Sequence, residues 1–314
     1  MKREVISMSR LAEICGVSQG TVDRALNHRK GINPATKERI LKVAKEYGYR
    51  PNIHARSMRD GRSSLIGIVI FDLDNSFFAD LVSAIEDSLS EAGYHAIITL
   101  THKDPKRELS CIEELYYMSV DGIILCPIGK GADYEKFLHS LDIPIVTVEN
   151  RLDTIPYVCI DNRKAMFDTT RFVIERGYER LIYLMPSITD DCNTINFYAQ
   201  DERLAGFKEA CKESMTDYEI QYGDVSEASL SSHQKTALIC STDIYALRLF
   251  HTAKKHGCGI IGFDDLRIID NTKIALDSVS QNAVAIAKAT TEFLIHKKKP
   301  SAMVEHSITK RGSV

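Results

Sequence analysis

From residue 65 to the end of the chain, short runs of apolar residues alternate with longer amphipathic segments. This alternation limits the fold more than any other feature of the sequence. The apolar runs have the length of strands, and the segments between them have the 3.6-residue period of helices. Continuous apolar strands that alternate with helices indicate parallel sheets covered on both faces. We predict strands at 65–71, 95–100, 122–126, 145–148, 157–160, 181–185, 237–240, 259–263 and 276–280.

The predicted strands form two series, separated by the segment between residues 160 and 181, and therefore indicate an α/β body of two doubly wound parallel-sheet lobes. Helices are predicted between the strands, at 78–92, 105–118, 164–176, 202–213, 243–256 and 283–296. Sheets of this type bind ligands at the carboxyl ends of their strands, which here face a cleft between the lobes.

Polar and aromatic side chains occur where several of these strands end. The candidate contacts are Asn75, Phe77 and Phe78 after the first strand, Thr242 and Asp243 after another, Asp264 after Phe263, and Arg203 near a helix start. Carboxylate and amide groups pair with sugar hydroxyls, and aromatic faces pack against sugar rings. The alternative role of any one carboxylate is a helix cap, which suits Asp243 well. Several such groups at one edge favour a site for a polar small molecule.

Residues 1–62 differ from the rest of the chain in charge. They contain fourteen Lys and Arg residues but only six Asp and Glu residues, a net charge of +8, whereas the remainder has a net charge of −11. A basic head on an acidic body is typical of a protein whose head binds a polyanion such as nucleic acid. A solvated basic face without a partner is the alternative.

The same basic region has the pattern of a helix-turn-helix. Ser7 and Ser18 are suitable N-caps for two short helices, and Gly16 supplies the left-handed residue that ends the first helix. A third helix is predicted from Asn33-Pro34 to Gly48.

The second helix is the candidate reader of bases, because recognition helices contact base edges through their N-terminal residues. These residues are Gln19-Gly20-Thr21. Gln suits adenine, and the following Arg24 suits guanine or a phosphate. A three-helix bundle that binds a protein is the alternative.

Residues 51–61 can form one further helix of about two turns, capped by Asn52 and ended by Gly61. A helix this short is marginal in water by itself. It would order against DNA, where Met58 would wedge between base steps from the minor groove. An ordinary linker in which Met58 contacts the body is the alternative, and the residues alone favour it slightly.

Other classes of function are not indicated. The eight Cys residues are scattered without metal-ligand spacing, as is typical of buried apolar residues in a reducing compartment. No G-x-G-x-x-G follows Phe71, and neither a phosphate-binding lysine loop nor a G-x-S-x-G elbow occurs. We therefore expect no metal, no cofactor and no catalytic residue. The N-terminus lacks a signal-peptide core and no apolar run is long enough to span a membrane, so a cytoplasmic protein is expected.

Six motifs occur in order along the chain. They are Gly16-Val17-Ser18-Gln19-Gly20-Thr21-Val22-Asp23-Arg24-Ala25-Leu26-Asn27, Gly48-Tyr49-Arg50-Pro51-Asn52, Ala55-Arg56-Ser57, Asp74-Asn75-Ser76-Phe77-Phe78-Ala79, Arg203-Leu204-Ala205-Gly206-Phe207 and Gly262-Phe263-Asp264-Asp265. Together they resemble the signature of the lactose-repressor (LacI/GalR) family. The resemblance runs from about Ser7 to the C-terminus. It implies a helix-turn-helix headpiece at 1–50, a hinge helix at 51–62 and a periplasmic-binding-protein-like body at 63–314.

The resemblance implies a DNA-binding regulator, expected to be a repressor, that acts as a dimer on a pseudo-palindromic operator. It also implies a small-molecule effector, such as a sugar or related metabolite, held between the lobes. By position, it implies DNA contacts at Ser18, Gln19, Gly20, Thr21, Arg24, Asn27, Arg56 and Met58, and effector contacts at Asn75, Phe77, Phe78, Arg203, Thr242 or Asp243, Asp264 and Gln281. No leucine-heptad tail follows Val314, so a dimer is expected rather than a tetramer.

Three positions depart from the family pattern. Gly20 has no side chain to read a base, so base specificity would shift to neighbouring positions. Asp23 replaces a usual Ser that would face a phosphate, and an anion there should repel the DNA backbone. Met58 replaces a usual Leu and can still wedge, because its side chain is flexible.

Two other functions are consistent with the residues alone. A sugar-binding module with a protein-docking head would show no salt-dependent DNA binding, whereas the affinity of a DNA-binding regulator falls steeply with salt. An enzyme that uses the acidic cleft for sugar chemistry would turn over a sugar.

The variant Met58→Ala tests the hinge. If Met58 wedges between base steps, its loss should weaken binding to the operator and leave binding to non-specific duplex unchanged, because only the kinked specific complex contains the wedge. Fluorescence-anisotropy titrations with the two DNAs measure this difference. Equal losses on both DNAs would rule out a wedge.

Overall fold

The computed structural model describes residues 6–27, 29–49, 61–187, 194–231, 234–296 and 303–314. The chain forms two compact units, divided between Ser63 and Ser64: a helical headpiece and an α/β body. The predicted contacts Arg56 and Met58, and most of the predicted hinge helix, lie outside the described residues.

The described part of the headpiece contains three helices, α1 (Met8–Cys15), α2 (Gln19–Leu26) and α3 (Pro34–Glu46). Ser7, Ser18 and Asn33 cap them, and each side-chain oxygen accepts a hydrogen bond from a backbone N–H of the first turn. Gly16 ends α1 with a left-handed φ of +59°. The predicted helix-turn-helix and its caps are confirmed.

The headpiece core is small and consists of one apolar face from each helix. It is formed by Leu11, Ala12 and Cys15 of α1, Val22 and Ala25 of α2, and Ile40 and Ala44 of α3. One polar contact supplements it, because Arg39 Nη2 donates to the backbone carbonyl of Cys15 at 3.0 Å. This bond satisfies an orphan carbonyl at the end of α1.

The described elements of the body alternate along most of its length. The first series is β1 (Leu65–Ile70), α4 (Ser76–Glu91), β2 (His95–Leu100), α5 (Pro105–Tyr117), β3 (Gly122–Leu125), α6 (Ala132–Ser140), β4 (Ile145–Val148) and β5 (Tyr157–Ile160). The remainder is α7 (Asn162–Ile174), β6 (Arg180–Met185), α8 (Tyr198–Ser214), β7 (Asp217–Tyr222), α9 (Glu227–Leu230), β8 (Thr236–Cys240), α10 (Asp243–Lys255), β9 (Gly259–Asp264), β10 (Asp277–Ser280), α11 (Ala283–His296), β11 (Met303–Val304) and β12 (Ser307–Thr309).

These strands form two six-stranded sheets, one in each lobe. The first lobe has the order β11-β5-β4-β3-β1-β2, and the second has the order β12-β10-β9-β8-β6-β7. Neighbouring strands are parallel throughout the first sheet, and in the second only β12 is antiparallel to its neighbour. The predicted body of two doubly wound parallel lobes is confirmed.

The chain passes between the lobes three times in its described part, after β5, after β10 and after β11. The resemblance places a crossover at Gln281, directly after β10. The passage after β11 was not predicted, and neither was the return of α11 to pack on α4 and on strands of the first lobe, where β11 adds to the sheet. The edge strand β7 was also missed. Its side chains are half-buried or exposed, so it lacks the apolar run that marks the central strands. The short elements α6, α9, β11 and β12 were not predicted either.

No helix in the described ranges combines the length and apolarity that crossing a membrane would require.

Candidate functional site

Helix α2 presents the predicted DNA-reading residues at its start. Gln19, Gly20 and Arg24 are exposed, and Thr21 is half-buried. Ser18 Oγ accepts a hydrogen bond from the Thr21 N–H at 3.2 Å and lies 3.0 Å from Thr21 Oγ1. Ser18 and Thr21 therefore fix the first turn of the helix, while the side chains of Gln19 and Arg24 are exposed for a partner.

Gly20 is not required by the fold. A Cβ atom built at this position would meet only Ser18 Oγ, at 3.8 Å. The helix start therefore has room for a side chain, and its absence leaves a bare backbone surface between Gln19 and Thr21.

Asp23 is largely buried in the headpiece, where its carboxylate has partners, and the predicted repulsion of a phosphate stays a prediction. Its residue surface is only 8% exposed, and its Oδ1 accepts a hydrogen bond from Asn27 Nδ2 at 2.7 Å. Arg29 Nη1 lies 3.5 Å from Asp23 Oδ2. The carboxylate is thus a structural group that holds the end of α2, and Asn27 uses its amide to cap that end.

The body contains a cavity of about 190 Å³ between its two lobes. Most of the predicted effector contacts line it, together with residues that were not predicted. The lining residues are Phe71, Asn75, Phe77, Phe78, Lys103, Ile128, Glu149, Asn150, Ile195, Asn196, Phe197, Ala199, Gln200, Arg203, Thr242 and Asp264. Asn75, Phe77, Phe78, Arg203, Thr242 and Asp264 had been predicted from the sequence. The structure therefore brings six of the predicted residues, from both lobes, to one cavity.

Asn75 and Asp264 join the two lobes across the cavity. Asn75 lies at the start of α4, where its Oδ1 accepts the Phe77 N–H at 3.1 Å, and its Nδ2 donates to Asp264 Oδ2 at 3.0 Å. Asp264, at the end of β9, has a φ of +113°, which side-chain-bearing residues rarely adopt. One amide therefore both caps a helix of the first lobe and holds a carboxyl group of the second.

Burial raises the pKa of Asp264 to about 7, because the charged form is disfavoured away from water. Arg203 opposes this shift, and the negative charge of Glu149 adds to it. The side chain therefore changes charge near neutral pH.

Arg203 lines the cavity and is only 1% exposed. Its Nη2 donates to Glu149 Oε1 at 2.6 Å, its Nε donates to Asn162 Oδ1 at 2.8 Å, and its Nη1 donates to the carbonyl of Ser241 at 3.2 Å. Its guanidinium also stacks 3.8 Å from the Phe263 ring centroid. Most of its donors are therefore used within the protein.

Asp243 and Gln281 were predicted as effector contacts, but they lie behind the cavity wall and do not line it. Asp243 is fully buried and accepts hydrogen bonds from Ser278 Oγ at 2.6 Å and from the Leu266 N–H at 2.9 Å. Gln281 Nε2 donates to Asp264 Oδ1 at 2.8 Å. Asp243 thus positions the backbone at Leu266, and Gln281 positions the Asp264 carboxyl group.

Two asparagines that were not predicted connect the lobes at another side of the cavity. Asn150 Nδ2 donates to the carbonyls of Pro127 and Asn196, at 3.3 and 3.2 Å, and its Oδ1 accepts the Ala199 N–H at 3.0 Å. Asn196 in turn donates its N–H to the Ile128 carbonyl at 2.7 Å. A signal existed for Glu149 and Asn150, since both directly follow β4, whereas Asn196 lies in a loop without a recognisable pattern.

The described residues contain no group of three or more His, Cys, Asp or Glu side chains placed to hold a metal ion.

Two α/β lobes with a polar cavity between them define a protein of the periplasmic-binding-protein class, here joined in one chain to a helix-turn-helix headpiece. A family model described as bacterial regulatory proteins, lacI family, matches residues 7–52, and one described as periplasmic binding proteins and sugar binding domain of LacI family matches residues 63–257. The chain belongs to the LacI family. It is a DNA-binding transcriptional regulator.

Relatives and solved structures agree with this assignment. The chain is 28% identical to catabolite control protein A of Priestia megaterium, covering 96% of this chain and 97% of that protein. It is 26% identical to the transcriptional regulator DegA of Bacillus subtilis (strain 168), covering 86% and 85% of the two chains. The fold matches the lac repressor dimer bound to operator and the anti-inducer ONPF, with a TM-score of 0.81 at 17% identity over 99% of both chains. It also matches a complex of the transcriptional regulator CelR with cellobiose, with a TM-score of 0.63 at 22% identity over 98% of this chain and 100% of that chain.

The variant Asp264→Asn tests the charge state of the cavity. A carboxyl group whose pKa is raised in the folded state binds its proton more tightly there than in the unfolded chain, so it lowers stability as the pH rises from about 4 to above 7. The melting temperature of Asp264→Asn relative to the natural protein should therefore increase between pH 5 and pH 8. Calorimetry over this range measures the difference, and Asp87→Asn, which removes an exposed carboxylate, is the control. A constant difference for Asp264→Asn would contradict the raised pKa.

Proposed function

We propose that this regulator reads a pseudo-palindromic operator as a homodimer, with α2 in the major groove, and that a sugar or related polyol in the cavity between its lobes controls binding. The observation that carries the proposal is the position of the cavity groups. Buried carboxyl groups and aromatic rings from both lobes converge on one cavity, as in sites for small polar ligands. A ligand that contacts both lobes would stabilise one lobe arrangement over another.

The residues that we assign to DNA are those that α2 exposes. Gln19 and Arg24 project from the helix without a partner in the headpiece core, so they are available for base edges and phosphates. Ser18 and Thr21 would set the depth and angle of the helix, and Asn27 would stabilise its end. The basic charge of residues 1–62 supports a polyanion as the partner.

The residues that we assign to the effector are those that line the cavity from each lobe: Asn75, Phe77 and Phe78 from the first, and Arg203, Thr242 and Asp264 from the second. Gln281 acts through Asp264, and Asp243 acts through the backbone that it holds. The acids favour binding over catalysis, because Asp264 accepts from Asn75 and Gln281 and Glu149 accepts from Arg203.

The relatives support a dimeric repressor that works in the cytoplasm on operator DNA. The lac repressor structure is that of a dimer on its operator, and the CelR structure holds cellobiose. A docking head for a protein partner would require no excess of basic charge over residues 1–62. The measurements below separate the two functions.

The variant Arg24→Ala tests DNA reading. Selection from a random duplex library with the full chain should enrich a pseudo-palindrome, and the affinity for it should fall steeply as salt rises. Arg24→Ala should abolish this binding at moderate salt and leave the melting of the body unchanged. Arg163→Ala, which removes an exposed arginine of the body, is the matched control and should bind normally. Unchanged operator affinity in Arg24→Ala would refute the role of this residue, and failure to enrich any sequence would favour a protein partner.

The variant Asp264→Ala tests the effector site. A thermal-shift screen of the full chain against sugars and polyols should identify compounds that raise the melting temperature. Asp264→Ala should lose this response while remaining able to bind DNA, because the residues assigned to DNA contact lie in the headpiece. A thermal shift that persists in Asp264→Ala would show that the effector binds elsewhere.

A further inference from the structure

Glu149 lies in the wall of the cavity with one oxygen that has no partner. The residue is 8% exposed, and its Oε1 accepts the bond from Arg203, but its Oε2 has neither appreciable solvent contact nor a hydrogen-bond partner among the described residues. A buried carboxylate oxygen costs free energy unless a donor satisfies it. Glu149 also has a φ of +63°, a conformation that proteins retain mostly where function requires it.

The other unpartnered polar atoms of the cavity-lining residues are also oxygens. Within the described ranges they are Gln200 Oε1 and Thr242 Oγ1. Both side-chain N–H groups of Asn150 are bonded to backbone carbonyls, and Asn75 and Asn196 each use one, to Asp264 and to the Arg151 carbonyl. Each of the three unpartnered oxygens can accept a hydrogen bond, and the Thr242 hydroxyl can also donate one. A ligand that donates several hydrogen bonds would satisfy all three.

The charges of the wall also favour a ligand without negative charge. Glu149 neutralises Arg203, and Asp264 then adds a second acidic group close to the same guanidinium. Lys103, at the rim of the cavity, is paired with Asp72 at 3.0 Å. The described cavity thus has no unpaired cation that would attract a phosphate or a carboxylate, and it disfavours anionic ligands.

Three phenylalanine rings form an apolar part of the cavity. The Phe71 and Phe78 centroids are 4.8 Å apart, and those of Phe77 and Phe78 are 5.3 Å apart. Such rings pack against the C–H face of a sugar, and their negative faces attract a cation within about 6 Å.

We propose that the effector is an amino sugar, a small polyhydroxylated molecule whose protonated amine donates to Glu149 Oε2. This inference rests on the proposed sugar-responsive function of the same cavity. An ammonium group has three donors and no acceptor, so it complements a wall of unpartnered oxygens. A hydrogen bond between an ammonium and a carboxylate is about twice as strong as one between neutral groups. A neutral sugar presents acceptors as well, and three of the five Arg203 donors are already used within the protein.

The test measures binding of matched sugar pairs to the full chain by calorimetry and thermal shift. The pairs are glucosamine with glucose, galactosamine with galactose, and mannosamine with mannose, each with the N-acetylated sugar as an uncharged comparison. We expect at least one amino sugar to bind ten-fold or more tightly than both its neutral partner and its N-acetyl form. This comparison uses the natural protein and needs no variant to fold.

Glu149→Gln then tests the assigned carboxylate. The amide oxygen can still accept from Arg203, but the negative charge is gone, so the ratio of amino-sugar to neutral-sugar affinity should fall ten-fold or more. The melting temperature of the variant without ligand shows separately what the loss of the ion pair costs in stability. Glu175→Gln, at the exposed end of α7, is the matched control and should keep the preference.

The outcomes separate this inference from the proposed function. Neutral sugars that bind as tightly as the amino sugars, or an amine preference that persists in Glu149→Gln, would overturn the amino-sugar assignment and leave a sugar-responsive regulator. If no compound of the panel binds, the assignment is also overturned. If operator binding still depends on Arg24 in that case, the DNA-reading function is supported. Both the proposed sugar effector and the proposed amino sugar are then refuted.

Discussion

The buried guanidinium of Arg203 organises the centre of the body. It belongs to the second lobe, yet it donates to Glu149 of the first lobe and to groups at the ends of two other elements. Breaking a buried ion pair by removing one partner costs roughly 3–5 kcal/mol, because the remaining charge is left without compensation. The lobes are therefore held in register around one charge, and the cavity exists in the space beside it.

The residues around Arg203 differ in how far the sequence could predict them. The helix caps and the strands were predictable because each depends on a local pattern, as for Ser18 before α2 or the apolar run of β1. Asp264 and Asn75 were found because strand ends meet at one edge of a sheet. The same rule could have found Glu149, which directly follows β4, but no motif drew attention to it.

Strand-end position does not reveal which way a side chain faces. Asp243 and Asp264 both follow buried strands, yet only Asp264 lines the cavity, while Asp243 is held by Ser278 and the Leu266 N–H. The same limit applies to Asp23. Its position in the motif suggests a side chain that faces a DNA phosphate, but the side chain is buried against Asn27. Orientation depends on tertiary packing, which a sequence pattern of one turn does not contain.

Asn75 shows how binding in the cavity can be coupled to the arrangement of the lobes. Its Oδ1 caps α4 of the first lobe, and its Nδ2 bonds to Asp264 of the second lobe, so the two halves of one amide have different tasks. A ligand that donates to Asp264 competes with that Nδ2 and replaces a direct contact between the lobes by one through the ligand. The ligand shifts the equilibrium only by the difference in its affinity for the two lobe arrangements. A cation at this position would also favour the ionised form of Asp264, whose pKa of about 7 makes that ionisation accessible at neutral pH. Charge, lobe contact and ligand binding are therefore linked at a single carboxyl group.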